Sequence, residues 1–224
     1  MRIHKKGWIT ITITFLFVVT TLVIINLAFP VNTWVHYLLY GIGFVFFFLV
    51  VRFFRHPARD VNLNDNHILS AADGKVVVIE EINEIDFFND RRIQVSVFMT
   101  PLNVHVNWYP ISGEIESTHY HKGRYYPAYS PKSSRLNERL STVIKDRHGR
   151  KVVMIQIAGM MARRVFTNAF KGNIVFQGEE AGIIKFGSRV DLILPVDAVV
   201  KVKLHQQVRA CETVIAELPE PRHI

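Results

Sequence analysis

Residues 183–195 read IIKFGSRVDLILP, and the fold of the larger part of the chain turns on how they are read. Apolar residues are dense enough for a buried β-strand, yet Gly187-Ser188 interrupts the run near its start and Pro195 ends it. Glycine weakens a strand, because it loses more backbone entropy than other residues and packs nothing. The pair therefore marks either a bulge or a place where an open backbone and a hydroxyl serve chemistry.

Outward from this stretch the pattern stays short and β-rich. An Asp73-Gly74 turn precedes KVVVI, and 92–99 (RIQVSVFM) and 104–109 alternate between apolar and polar residues. Further strands are predicted over 113–119, 142–145, 151–158, 185–194, 198–204 and 212–218, with DRHGR at 146–150 as a hairpin connection. Helical patterning is confined to two short windows, 131–140 and 159–168. The expected fold class is a β-dominated α+β domain, barrel- or sandwich-like, over residues 56–224.

The first 55 residues are of another kind. Residues 8–29 carry no charge and are long enough to span a ~30 Å hydrocarbon core. A second apolar segment, about 34–52, follows a Pro30-containing turn. A transmembrane helical hairpin is expected, not a cleaved signal peptide, since no small-residue cleavage site separates the two segments. Basic residues flank both outer ends (MRIHKK and RFFRHPAR), which places both termini of the hairpin on the cytoplasmic side of the inner membrane. The net charge of +8 fits an anionic membrane surface as partner. Tyrosines and basic residues do mix at 120–132, but no nucleic-acid motif accompanies them, so nucleic acid is not an expected partner.

Three chemistries compete on residue types alone. His119 and His121 form an H-x-H pair that would share one face of a strand and hold zinc in a tethered hydrolase. A non-catalytic β-domain needs no site at all. Ser188, Asp73 and a histidine would permit nucleophilic catalysis, with histidine taking the hydroxyl proton. The single cysteine, Cys211, excludes an internal disulfide and a cysteine-only metal site.

An ordered set of motifs decides between them. SAADGKV (70–76), FMTPLNVHVNWYPISG (98–113), YHKGRYYPA (120–128), NER (137–139), IQIAGMMARR (155–164) and GIIKFGSRVDLILP (182–195) occur in one order. Together they resemble the short, membrane-anchored branch of the phosphatidylserine decarboxylase proenzymes, over essentially the whole of 56–224. The resemblance implies that Ser188 attacks the Gly187 carbonyl and that the chain cuts itself into 1–187 and 188–224. These two pieces would stay together as a heterodimer, and homo-oligomerisation is left open. It further implies that residue 188 becomes a pyruvoyl group, the covalent cofactor, which forms a Schiff base with phosphatidylserine. The expected product is phosphatidylethanolamine, with loss of carbon dioxide.

By the same resemblance Asp73 and Ser188 match the aspartate and serine of a self-processing triad. Longer family members carry two histidines three positions apart; here His105 matches the first, and Trp108 stands at the second. His105 is thus the local candidate for both processing and proton transfer. Arg163, Arg164, Lys185 and Arg189 are the candidates for binding the substrate phosphate, and no metal is expected.

Overall fold

The computed structural model describes residues 2–31, 33–123, 126, 136–159, 165–167, 169–184 and 188–220, in two compact units, 1–58 and 59–224. In the first unit a short strand pair, β1 (Arg2–Ile3) with β2 (Arg55–His56), brackets α1 (Trp8–Ala28) and α2 (Trp34–Phe53). Both helices are long and apolar enough to cross a membrane. Their few polar side chains are satisfied locally: Thr14 and Thr21 donate to the carbonyls of Thr10 and Phe17, and Asn26 to that of Leu22. Between the helices Tyr40 donates to Asn26 at 2.7 Å, and Gly43 gives room for a close approach to Val18. Large apolar side chains such as Ile13, Phe17, Leu27, Phe44 and Phe48 point outward, as in segments solvated by lipid.

The second unit is built from strands. β3 (His67–Leu69), β4 (Gly74–Glu84), β5 (Asp90–Met99), β6 (Val106–Trp108) and β7 (Gly113–His121) come first. A hairpin of β8 (Arg139–Lys145) and β9 (Lys151–Ile157) follows, then β10 (Val165–Thr167), β11 (Ile174–Val175) and β12 (Glu180–Ile184). The chain ends with β13 (Ser188–Pro195), β14 (Val199–Val200), β15 (Gln207–Val208) and β16 (Val214–Glu217).

Eight of these form one antiparallel sheet in the order β11-β7-β8-β9-β13-β5-β4-β15, so the stretch that opened the reading lies deep inside it. Smaller sheets, β10-β12-β6 and β14-β16-β3, complete the unit. Alternation along β13 sends Val190, Leu192 and Leu194 into the main core, with Val97, Met99 and Met154. On the rear face Ile193 joins Val143 and Val153 under Ile82, Phe87 and Phe88 of the β4–β5 hairpin. Burial on both faces is why Leu192, Ile193 and Leu194 follow one another without a polar residue between them.

The β-dominated fold class is as expected from the sequence. One helical window is not: residues 165–167 form β10, because Val-Phe-Thr, β-branched and aromatic, pairs antiparallel with β12. The first half of the other window, 131–135, lies outside the described residues, and the last two of its positions begin β8. The hairpin at 146–150 closes with Gly149 at φ 81°, while Asp146 accepts from the amides of His148 and Arg150.

Candidate active site

Ser188 is the first residue of β13 and lies opposite Met99 of β5; pairing with β9 starts only one residue later, at Arg189. Its side chain is fully buried on the inner face. His105, also fully buried, reaches it from the segment before β6, with Nδ1 3.1 Å from Ser188 Oγ. The other ring nitrogen, Nε2, lies 3.0 Å from the Thr100 carbonyl oxygen. A carbonyl only accepts, so Nε2 carries the proton and Nδ1 offers its lone pair to the serine hydroxyl.

The turn that supplies this carbonyl is itself locked. Asn103 Oδ1 accepts from Thr100 N at 2.9 Å and from Thr100 Oγ1 at 2.7 Å, and Asn103 N returns a bond to Thr100 O at 3.0 Å. His105 O in turn accepts from Ile184 N at 3.2 Å, which ties the histidine segment to the end of β12. Nucleophile, base and orienting acceptor are therefore present in one buried line, the arrangement that activates a weak hydroxyl.

Asp73 is placed elsewhere. Its carboxylate receives Arg59 Nη2 at 2.7 and 2.6 Å and the Ala210 amide at 2.9 Å, and those bonds do not include His105. The Arg59 guanidinium also stacks over the Trp108 ring, 5.4 Å from its centroid. Through Arg59, Asp73 is linked to Trp108. The Thr100 carbonyl stands at His105 Nε2, the ring nitrogen that a triad aspartate would orient.

Arg189 corrects a second expectation. It is 1% exposed, on the opposite face of β13 from Ser188. Its guanidinium is held by Asp191 (Nε to Oδ1 2.6 Å, Nη2 to Oδ2 3.1 Å) and by Ser96 Oγ at 2.8 Å. Arg189 thus forms an internal ion pair with Asp191 on the face of β13 away from the serine. Arg163, Arg164, Lys185 and Gly187 lie outside the described residues.

His119 and His121 do share one face of β7 and line a cavity of about 200 Å³ with Asp86, Phe87, Arg139 and Ser141. Both are exposed, and among the described residues no group of three or more His, Cys, Asp or Glu is arranged to hold a metal. The His119 ring packs against Phe87, 5.4 Å between centroids.

Comparison with known proteins fits the buried serine–histidine pair at a Gly-Ser junction. The phosphatidylserine decarboxylase family model matches residues 46–216. The chain belongs to the phosphatidylserine decarboxylase family. A phosphatidylserine decarboxylase proenzyme of Cytophaga hutchinsonii is 44% identical over 217 residues, covering 97% of this chain and 99% of that one. Another, of Bacteroides fragilis, is 42% identical over 222 residues, 97% of this chain and 96% of the relative. A third, of Amoebophilus asiaticus, is 48% identical over 169 residues, 75% of each. Family membership implies in general terms a pyruvoyl prosthetic group and phosphatidylserine as substrate.

Residues that motif reading passed over complete the site: Thr100 and Asn103 in the turn, and Asn107 and Gln156 on the inner face. For Gln156 a signal existed, a lone polar residue on the inward register of the apolar β9.

Proposed function

We propose that this chain is a self-processing decarboxylase that converts phosphatidylserine to phosphatidylethanolamine and carbon dioxide, and that it matures by cutting itself between Gly187 and Ser188. The observation that carries the proposal is the 3.1 Å approach of His105 Nδ1 to Ser188 Oγ at a Gly-Ser junction in the core of the sheet. His105 takes the hydroxyl proton as Ser188 Oγ adds to the Gly187 carbonyl carbon, and the amide becomes an ester. Loss of the Ser188 α-proton then expels the 187 carboxylate and leaves dehydroalanine, whose nitrogen departs as ammonia when water enters. Nothing outside the chain except water is consumed.

The residues present fit a group generated at 188. Ser188 is buried beside a base and held by strand pairing on one side, so a carbonyl carbon formed there stays in register. The pyruvoyl group supplies an electron sink for the departing carboxylate, chemistry that side chains lack. His105, with Nε2 fixed on Thr100 O, holds or returns a proton at Nδ1. Asp73 acts at one remove: it clamps Arg59 against Trp108, while the Trp108 amide donates to Ala71 O at 3.0 Å and so joins the 70–73 loop to β6. Recognition of the substrate phosphate falls to Arg163, Arg164 and Lys185. The two apolar helices retain the enzyme in the plane of its lipid substrate, with basic ends facing the cytoplasm.

Mass spectrometry of the purified full chain tests the proposal. The expected result is a 188–224 fragment lighter than one starting with serine, by the difference between that residue and a pyruvoyl group. A single uncut chain, or a Ser188→Ala variant that is still cut, would overturn it.

A further inference from the structure

A line of buried polar side chains leads away from Ser188 along the inner face. Ser188 Oγ lies 3.8 Å from Met99 Sδ, and Asn107 Nδ2 lies 3.6 Å from the same sulfur. Gln156 Nε2 donates to Asn107 Oδ1 at 2.9 Å. Asn107 is aimed by β6, where it pairs with Gly182 of β12; on the other edge of β12 a Cβ at Gly182 would meet Phe166 O at 2.0 Å, so only glycine lets β10 pack this closely behind it. Gln156 sits opposite Val190, two residues along β13 from Ser188 and on the same face. Such diagonal neighbours are roughly 7–8 Å apart, within reach of a long side chain.

The far end of this line is open. Gln156 Oε1 is buried and has no hydrogen-bond partner among the described residues. Turning both amides over does not close it: Asn107 would then donate to Gln156 Oε1, and Gln156 Nε2 would become the orphan. In either orientation one end of the pair lacks a partner among the described residues. A buried polar group left so costs about 1–3 kcal/mol, a cost that a bound ligand or an ordered water offsets by supplying the missing bond.

We propose that Gln156 is a substrate-contacting residue whose Oε1 accepts a hydrogen bond from the nitrogen of the serine headgroup as it approaches residue 188. The inference rests on the decarboxylase reading above. An amide suits this task better than a carboxylate. Glutamate would hold the headgroup nitrogen as ammonium, with no lone pair for attack. The neutral amide oxygen takes an N–H from the free amine and leaves that lone pair available. Gln156 thereby orients the headgroup nitrogen without adding a negative charge that would hold it as ammonium.

The test uses the matured, detergent-solubilised full chain, with sn-glycero-3-phosphoserine and cyanoborohydride as probe. A nitrogen–carbon bond forms at residue 188, water leaves, and hydride from the reagent fixes the adduct, read as a mass gain on the 188–224 fragment. Gln156→Met, compared per cut chain, is expected to label about 10-fold more slowly than the wild type, the loss of the hydrogen bond to the substrate nitrogen. Gln156→Glu is expected to label slowly at neutral pH and to recover as pH rises, a shift that a purely structural amide would not produce. Equal labelling of Gln156→Met and wild type overturns the assignment. So does a Gln156→Glu profile that follows the wild type, which also decides the matter if the methionine variant fails to mature. A cut wild type with either result removes this inference alone; an uncut wild type removes the processing reading with it.

Discussion

Arg59 holds both carboxylate oxygens of Asp73, at 2.7 and 2.6 Å, with side chains only 5% and 14% exposed. Breaking a largely buried pair leaves an uncompensated charge. Arg59→Met should therefore lower stability by about 2–4 kcal/mol, and adding Asp73→Asn should recover part of that loss. Denaturant titration of the solubilised chain measures both; strict additivity would mean the pair is not coupled.

His105 is expected to govern the cut. With His105→Ala the serine loses its proton acceptor, and self-cleavage should slow by about 10²–10⁴-fold. Following the ratio of full-length chain to fragment over time reads this directly. Cleavage at the wild-type rate would assign the base to another residue.

Asn103 touches neither serine nor histidine, yet it fixes the carbonyl that orients the ring. Asn103→Ala removes both bonds that Oδ1 accepts from Thr100 and should slow cutting by roughly 10-fold, with little change in melting temperature because both bonds are exposed. Asn103→Asp, which keeps the acceptor, should restore most of the rate.

Stability should fall in alkali with a defined onset. Burial pushes the Cys211 thiol from 9.0 to about 12, with Asp73 and Glu212 adding to the rise and Arg59 opposing it. Burial, and then Glu179, raises the Tyr109 phenol from 10.0 to about 12. Both groups are neutral when protonated, so between these values the unfolded chain has released protons that the folded chain still holds. Their contribution is complete below pH 9 and drains away towards pH 12. Melting curves across that range should show the decline, and Cys211→Ala should delay its start until Tyr109 ionises.

How far these features were legible depends on whether local pattern or distant neighbours decide them. Alternation placed β5, β7 and β9, and the turn chemistry of Asp146 and Gly149 placed the hairpin, since these depend on adjacent residues. The two-residue β11 and β15 exist only because longer strands offer them an edge, and they carry no pattern of their own. Ser188 and His105 were reachable through motifs. The partner of Asp73 was not: Arg59 stands 14 residues away in a polar linker, and nothing local marks it as a buried cation. Arg189 misled for a related reason. An arginine beside a serine looks like a phosphate ligand, but alternation turns it to the rear, and Asp191 two residues on holds it there.

The place of β13 in the sheet gives the molecule a history. It lies between β9 and β5, while β15 borders β4 and β16 borders β3, so residues 188–224 are interleaved with what precedes them. A chain severed at 187/188 keeps every one of these strand pairings, and its pieces separate only if the sheet comes apart. Reassembly would then be a bimolecular search at the mercy of dilution, where the first folding needed only one molecule. A chain cut there would in that sense be a one-way product, able to fold as a precursor and able to persist, but poorly equipped to form a second time.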